Sequence, residues 1–315
     1  MRVFVAGATG AMGAHLLPQL VERGHQVIAT GRSTEKLERV RTRGIEAIAL
    51  DLLDPEAVRA AVRRTRPDAI VHQATALAGA IDFRHFHQAF AATNHLRTRG
   101  TDALVAAARE VGVARIVAQS YAGWPYAREG GPIKTEEDPL DPHPVPAMAE
   151  TLSAIRHVER VVLDAGGTAL RYGGLYGARN DAQLDPVRKR RFPVIGEGSG
   201  VWSFVHLHDA AAAAVLAVEG GRTGLYNVTD DDPAPVREWL PALARILGAR
   251  PPLHVPRWLG RALGGEAVLV LMTESRGASN AKIKRELGFA PRYPSWRQGF
   301  VAAYAAPAEA ARRVA

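Results

Sequence analysis

The run Val3-Phe4-Val5-Ala6-Gly7-Ala8-Thr9-Gly10-Ala11-Met12-Gly13 carries three glycines whose spacing suits contact with a pyrophosphate. A glycine at 7 permits a tight turn, and one at 10 lets the backbone approach a phosphate that a Cβ would push away. A glycine at 13 lets the next helix pack closely on a strand. A helix opening near Ala11 adds free N–H groups and a partial positive charge. Gly7, Thr9, Gly10, Ala11, Met12 and Gly13 are therefore the expected phosphate-side residues of a dinucleotide site. The second apolar run refines the ligand. It ends Ala29-Thr30-Gly31-Arg32-Ser33, with a guanidinium and a hydroxyl where an acidic residue would bond a ribose and repel a 2′-phosphate. Arg32 and Ser33 thus point to NADP(H) in preference to NAD(H), because arginine offers a phosphate both charge and a forked donor set.

Holding those glycines requires a strand before them and a helix after them, and the first half of the chain repeats that unit. Short apolar runs at 2–6, 26–30, 45–50, 69–73, 115–119 and 168–172 read as strands. Amphipathic stretches at 11–23, 54–64, 87–111 and 149–164 read as helices. The alternation predicts an α/β fold, a Rossmann-type doubly wound parallel sheet with a small C-terminal substrate lobe. Beyond 172 the rhythm breaks into a basic, Gly- and Pro-dotted stretch over 173–200. Strands at 202–207 and 225–228 and helices at 208–218, 236–247, 258–272 and 280–287 follow. The expected organisation is a dinucleotide-binding domain of residues 1–172 plus about 201–229. A substrate-binding lobe takes about 173–200 plus 230–304, and 305–315 is a flexible tail.

Composition narrows the chemistry. The chain has no cysteine, which excludes disulfides, thiolate metal sites and cysteine nucleophiles. The formal net charge is +8, but only five of the 40 basic residues are lysines (36, 134, 189, 282 and 284) and the arginines are scattered. The densest cluster, Arg188-Lys189-Arg190-Arg191, has no interleaved aromatics, so no nucleic-acid partner is expected. The longest apolar run, 210–218, is too short for a bilayer, and no leader segment is evident. The reading is a cytoplasmic protein with no membrane partner. His85 with His87, and His206 with His208, stand two residues apart without evident carboxylate partners, and no metal site is expected.

Further segments, in their order and spacing, resemble the extended short-chain dehydrogenase/reductase superfamily in its NAD(P)-dependent epimerase/dehydratase-like and atypical branches, over about residues 1–300. Leu50-Asp51-Leu52 follows strand three, where the family sets an aspartate against the adenine amino group. That implicates Asp51 and Leu52. Val71-His72-Gln73-Ala74-Thr75 resembles the run beside the cofactor ribose, which implicates Gln73, Ala74 and Thr75. Asn94 matches a structural asparagine of the long helix, on the cofactor side. Gln119-Ser120 ends strand five where the family keeps an active-site Ser or Thr. Leu170-Arg171-Tyr172-Gly173-Gly174-Leu175-Tyr176-Gly177 looks like the Leu-Arg-x-x-x-x-Tyr-Gly segment, placing Tyr172, Gly173 and Gly174 near the cofactor. Phe204-Val205-His206-Leu207-His208-Asp209 and Tyr226-Asn227-Val228 match two later elements. The resemblance also implies a homodimer formed through the helices after strands four and five.

One departure matters most. Redox members of the superfamily usually carry Tyr-x-x-x-Lys after strand five, the lysine lowering the tyrosine's pKa and the tyrosine exchanging a proton with substrate. None of the tyrosines here (121, 126, 172, 176, 226, 293 and 304) has a lysine four residues on. With Glu159 in the family's glutamate place, Thr151 and Ile155 stand for the pair. Three readings follow. The proton comes from Ser120, Tyr121, Tyr126 or Tyr176; or the reduced bond needs little proton transfer and orientation carries the rate; or the dinucleotide is bound without turnover. Trp202 stands where nucleotide-sugar enzymes of the superfamily place an arginine for the diphosphate, and an indole stacks on apolar rings instead. Lys134, in a loop rich in Pro, Gly and acids, reads as a solvated surface lysine. The expectation is an NADP(H)-dependent oxidoreductase reducing a carbonyl or conjugated double bond of a small, largely apolar substrate. A redox-inactive NADP(H)-binding sensor and a sugar-nucleotide epimerase or dehydratase are the alternatives.

Overall fold

A computed structural model describes residues 1–77, 79, 81–178 and 184–305; the expected tail, from 306 on, lies outside the described residues. The central sheet comprises β1 (Arg2–Ala6), β2 (Gln26–Gly31), β3 (Glu46–Ala49), β4 (Ala69–His72), β5 (Arg115–Tyr121), β6 (Thr168–Tyr172) and β7 (Gly224–Val228). All pairings are parallel, in the order β7-β6-β5-β4-β1-β2-β3. Strand order therefore reverses at β1, where Val3 pairs with Val27 on one side and Ala69 on the other. In such sheets a crevice for ligands opens at this reversal, outside the carboxyl ends of the strands.

The strands are unbroken apolar runs because both faces are covered. The helices that cover them begin with α1 (Ala11–Glu22), α2 (Thr34–Arg41) and α3 (Pro55–Thr65). After β4 come α4 (Phe86–His95), α5 (Thr101–Val111) and α6 (Pro146–Asp164). Later in the chain lie α7 (Leu207–Gly220), α8 (Val236–Ile246), α9 (Arg257–Thr273), α10 (Ala281–Leu287) and α11 (Trp296–Tyr304). Val3 and Val5 pack with Leu16 and Leu20 of α1, Leu37 of α2, the alanines of α7 and Ile283 of α10. Phe4 and Ala6 pack with Val58 and Val62 of α3, Leu104 and Ala108 of α5, and Val158 of α6. Two smaller cores use segments after the strands. Phe204, Trp239, Leu240, Trp296 and Phe300 form one, and Phe86, Phe90, Trp124, Leu152, Ile155 and Leu271 the other. No described helix is long and apolar enough to cross a membrane.

Several elements differ from the sequence expectation, each for a local reason. α2 buries only Leu37, so it shows no helical apolar spacing; Ser33 caps it and the Glu35–Arg39 pair supports it. The expected continuous helix over 87–111 is interrupted by a π-helical turn at Leu96–Gly100. The expected strand over 202–207 breaks at Ser203. Val201–Trp202 pairs antiparallel with Ala234–Pro235, whereas Phe204–His206 runs parallel to Gly174–Tyr176. At that break the Ser203 side chain exchanges hydrogen bonds with the Ala278 backbone, accepting from its N–H at 2.8 Å. α11 lies where the sequence pattern predicts no helix, and it buries Trp296 and Phe300.

Asp230, just past β7, is buried with Oδ2 unpartnered, and burial together with Asp232 and Asp231 pushes its carboxyl up from 3.8 to about 8. The folded chain holds this proton more tightly than the unfolded chain does. Stability is therefore greatest below the unfolded value and declines as pH rises through the interval up to about 8. Asp230→Asn should match the wild-type melting temperature near pH 4 and exceed it near pH 8, by thermal denaturation. Parallel pH profiles would exclude Asp230 as the titrating group.

Candidate active site

The glycine turn joins β1 to α1. Gly7 has φ +85°, and a Cβ there would lie 2.5 Å from the Ala74 Cα. At Gly13 a Cβ would lie 1.9 Å from the Ala8 carbonyl oxygen, so these two glycines are required by packing alone. Gly10 is different: a Cβ would meet nothing closer than the Gly7 oxygen at 3.5 Å, which leaves open space on its outer side. Gly10 is the N-cap of α1 and offers no capping side chain, and the first turn has no acidic residue. The N–H groups of that turn are therefore free for an anion. By contrast α3 is capped by Asp54, whose carboxylate accepts from Glu56 and Ala57. Thr9 sits over Gly31, at the end of β2. Arg32 follows, exposed and, among the described residues, without a hydrogen bond or ion pair. Ser33 is committed to its role as the cap of α2. Asp51 is exposed and accepts from Leu53 N–H at 3.0 Å, while Leu52 is buried in the core.

The ends of β4 and β6 face each other through side chains. Gln73 donates to the Tyr172 hydroxyl at 3.2 Å, leaving its own Oε1 buried and unpartnered. An orphaned acceptor beside an open cradle fits a hydroxyl-bearing ligand, such as the ribose of a dinucleotide. Ala74 lies against Gly7 and accepts from Gln119 at its carbonyl, and Thr75 is half-buried. Gly173 and Gly174 are shaped by their neighbours. A Cβ at 173 would meet the Ser203 oxygen at 2.6 Å, and one at 174 the Phe204 ring at 3.2 Å.

The four hydroxyls considered as proton donors are dispersed. Ser120 donates to Glu159 at 2.6 Å inside a buried network. Glu159 receives both prongs of the Arg171 guanidinium at 2.7 Å. Arg171 also donates to the Tyr126 hydroxyl, which in turn donates to Asn227. Burial raises Tyr126 to about 12, with the Arg171 charge opposing. Tyr176 lies in the aromatic core against Phe204, His206 and Phe300, its hydroxyl enclosed beside Gly299, and burial raises its pKa strongly. Tyr121 alone of the four reaches a cleft. Half-buried, it lines a narrow slot with Trp124, Trp202, Leu271 and Ser275. Its hydroxyl has no hydrogen-bond partner among the described residues, and burial raises it to about 12 against the pull of Arg97.

Thr151 and Ile155, which the resemblance sets in the places of the tyrosine and lysine, are engaged in other interactions. Thr151 accepts from Asn94 Nδ2 at 3.1 Å, and Ile155 is packed among Phe86, Phe90 and Leu152. Trp202 spans the slot and the aromatic core, donating to the Leu271 carbonyl and standing 4.8 Å from Trp239. Lys134 is buried rather than solvated, because the Glu129 carbonyl and Asp138 hold its ammonium. The histidines also find the acidic partners that the sequence hid: His85 pairs with Asp82, His87 with Glu150 and His208 with Asp209. His206 Nδ1 caps α7 by accepting from His208 N–H. Among residues not singled out from sequence, Trp124 and Arg97 matter most. Neither carries a motif, since Arg97 is one of two arginines in Leu96-Arg97-Thr98-Arg99 and becomes buried on the π-turn.

Glu159→Leu strands the Arg171 guanidinium in the interior and should cost about 3–5 kcal/mol in denaturant unfolding. Ser120→Ala should cost only about 1 kcal/mol. Adding Arg171→Met to Glu159→Leu should recover part of the loss. A double mutant no more stable than the single one would show that the pair's attraction is not what holds these strand ends.

The profile of the NAD dependent epimerase/dehydratase family matches residues 3–229. A Streptomyces protein named 3-diazoavenalumate denitrifying reductase is 43% identical over 307 residues, 95% of this chain and 99% of that one. A 2-alkyl-3-oxoalkanoate reductase of Stenotrophomonas maltophilia is 30% identical over 265 residues, 79% of this chain and 76% of its own. The UDP-glucose 4-epimerase of Thermotoga maritima has a similar fold, with a TM-score of 0.75 at 22% identity and coverage of 100% and 99%.

Proposed function

Because the chain belongs to the NAD-dependent epimerase/dehydratase family, we propose that it reduces an arenediazonium acceptor with NADPH and releases dinitrogen. It is an NAD(P)-dependent oxidoreductase of the extended short-chain dehydrogenase/reductase type. One observation carries the choice of acceptor. The places of the usual proton-transfer pair hold Thr151, bonded to Asn94, and Ile155, packed among aromatic rings. The relative named as a denitrifying reductase of a diazo compound supports the same reading. When bound, the reduced nicotinamide supplies the hydride: a C–H bond forms at the ring carbon, the C–N bond breaks, dinitrogen leaves and the cofactor is oxidised. Unlike reduction of a carbonyl, this exchange consumes no proton, so the protein has only to bind and orient.

The chain's own residues suit that task. The free N–H groups after Gly10 hold the pyrophosphate, the orphaned Gln73 Oε1 accepts from a ribose hydroxyl, and Arg32 pairs with a 2′-phosphate. Tyr121, Trp124 and Trp202 line a closed slot of about 10 Å³, whose aromatic faces would have to part to take a flat ring. In this reading residues 173–200 and 230–304 form the lobe that closes over the strand ends, and the protein works on one small molecule without nucleic acid.

Arg32→Ala should weaken NADPH about tenfold or more while leaving NADH within about twofold, by titration; equal losses would remove the 2′-phosphate assignment. With an arenediazonium salt and 4-deuterated NADPH, the protein-dependent reaction should place deuterium on the ring and release one N2 per cofactor oxidised. Tyr121→Phe should keep kcat within about threefold, since a donor of an essential proton would cost about a hundredfold or more. A loss of that larger size, with turnover of an aryl ketone, would return the acceptor to a carbonyl.

A further inference from the structure

A cleft of about 370 Å³ opens just past the carboxyl end of β4, within the size range of small-molecule sites. Ala76, Leu77, Ile81 and Ala89 give it apolar lining, and Asp82 and His85 face it from the turn before α4. Ala76 stands three residues after Gln73, whose Oε1 is the orphaned acceptor, and its N–H donates to Thr93 Oγ1 of α4 at 3.1 Å. The segment that carries the expected ribose contact therefore continues directly into the wall of the cleft. Ile81 and Ala89 also pack in one apolar cluster with Tyr121 and Trp124, so the cleft adjoins the closed slot and offers the room that the slot lacks.

The polar side of the cleft is ordered by one carboxylate. Asp82 accepts from the Arg84 backbone N–H at 3.1 Å, from the Arg84 guanidinium through two bonds of 3.0 Å, and from His85 Nδ1 at 3.1 Å. Arg84 and His85 hold its carboxyl well below the usual carboxylate range. An ionised carboxylate only accepts, so Nδ1 must carry the hydrogen. In the neutral ring Nε2 is then an acceptor, and it has no hydrogen-bond partner among the described residues. Histidines 25, 87, 157 and 208 are paired with carboxylates too, but no member of those pairs lines this cleft.

Such a lining suits a ligand that is apolar over most of its surface and brings one donor. A carboxylate brings none, and an ammonium would lie beside the Arg84 guanidinium. The exposed Gln88 amide, which also lines the cleft, can donate or accept and does not discriminate. A phenol supplies an apolar ring with a single hydroxyl donor. We propose that this cleft receives the ring of the substrate and that His85 Nε2, oriented by Asp82, accepts a hydrogen bond from a hydroxyl on it, which makes the protein selective for phenols. The assignment rests on the reading of the protein as a reductase of an aromatic substrate.

Titration of the NADP⁺-saturated protein with phenol and with anisole, followed by NMR of labelled Leu and Ile methyls and of ¹⁵N-labelled histidine, tests this without turnover. Phenol should bind about fivefold tighter than anisole or better. Its ring protons should show contacts to the Leu77 and Ile81 methyls, and the His85 Nε2 signal should move with phenol and not with anisole. His85→Phe should bring the two affinities within about twofold of each other. Asp82→Asn, which keeps an oxygen for the Arg84 N–H, should retain part of the preference. NADP⁺ affinity should stay within about twofold in both variants, since neither residue belongs to the cofactor cradle. Equal binding of phenol and anisole, a preference that survives His85→Phe, or ring contacts that avoid Leu77 and Ile81 would each overturn the proposal. If the preference depends on His85 while no diazonium salt is reduced, the phenol site stands and the diazonium reading fails. If diazonium salts with and without a ring hydroxyl are reduced with equal kcat/KM, the diazonium reading stands and the phenol site fails.

Discussion

The ion pair between Glu159 and Arg171 is the constraint on which the site is built. It joins the long helix α6 to the end of β6 with two hydrogen bonds of 2.7 Å, both partners being buried. Ser120 brings in the end of β5, and Tyr126 with Asn227 brings in β7. Three strands are thereby registered against α6 at their carboxyl ends, where a sheet of this order binds ligands. A buried pair of this kind gains little net stability over an apolar substitute, but a broken one is expensive. Its effect is therefore to penalise every arrangement of these strand ends except one.

That arrangement leaves two different surroundings beside the strand ends. On one side of the strand reversal lies the backbone cradle at Gly10, which uses N–H groups and space rather than side chains. On the other lies a narrow slot lined by Tyr121, Trp124 and Trp202. The aromatic core behind Trp202, through Trp239 and Phe204, gives the slot a rigid wall.

The two residues that the resemblance sets in the places of the tyrosine and lysine serve packing in this fold. Thr151 and Asn94 bond to each other, and Ile155 adds to the packing of α4 on α6. These positions now stabilise the helix interface. A buried positive charge sits instead on the π-turn after α4, at Arg97. Such turns add a residue within a helix and redirect the side chains around it, and they recur at functional sites.

The amino-acid sequence by itself determined the parts whose causes are local. The glycine turn was legible because steric conflict at positions 7 and 13 involves backbone a few residues away or on the adjoining strand, and the parallel sheet because buried strands are continuous apolar runs. The absence of a lysine four residues after any tyrosine is likewise a matter of reading along the chain. Only the tertiary structure decided the states of the polar groups. Ser120 meets a carboxylate 39 residues on, Tyr126 an amide 101 residues on, and Lys134 is enclosed by its own loop. Arg97 looks like any other arginine in an arginine-rich chain until the π-turn and the packing of α6 leave its guanidinium buried with nothing to bond. Hydrogen-bond partners come from distant segments and burial depends on all of them together, so the identity of a side chain does not reveal whether its charge or proton is free. The fold supplies that information, and here it leaves Tyr121 and Arg97 uncommitted while Ser120 and Tyr126 are bonded and Tyr176 is enclosed.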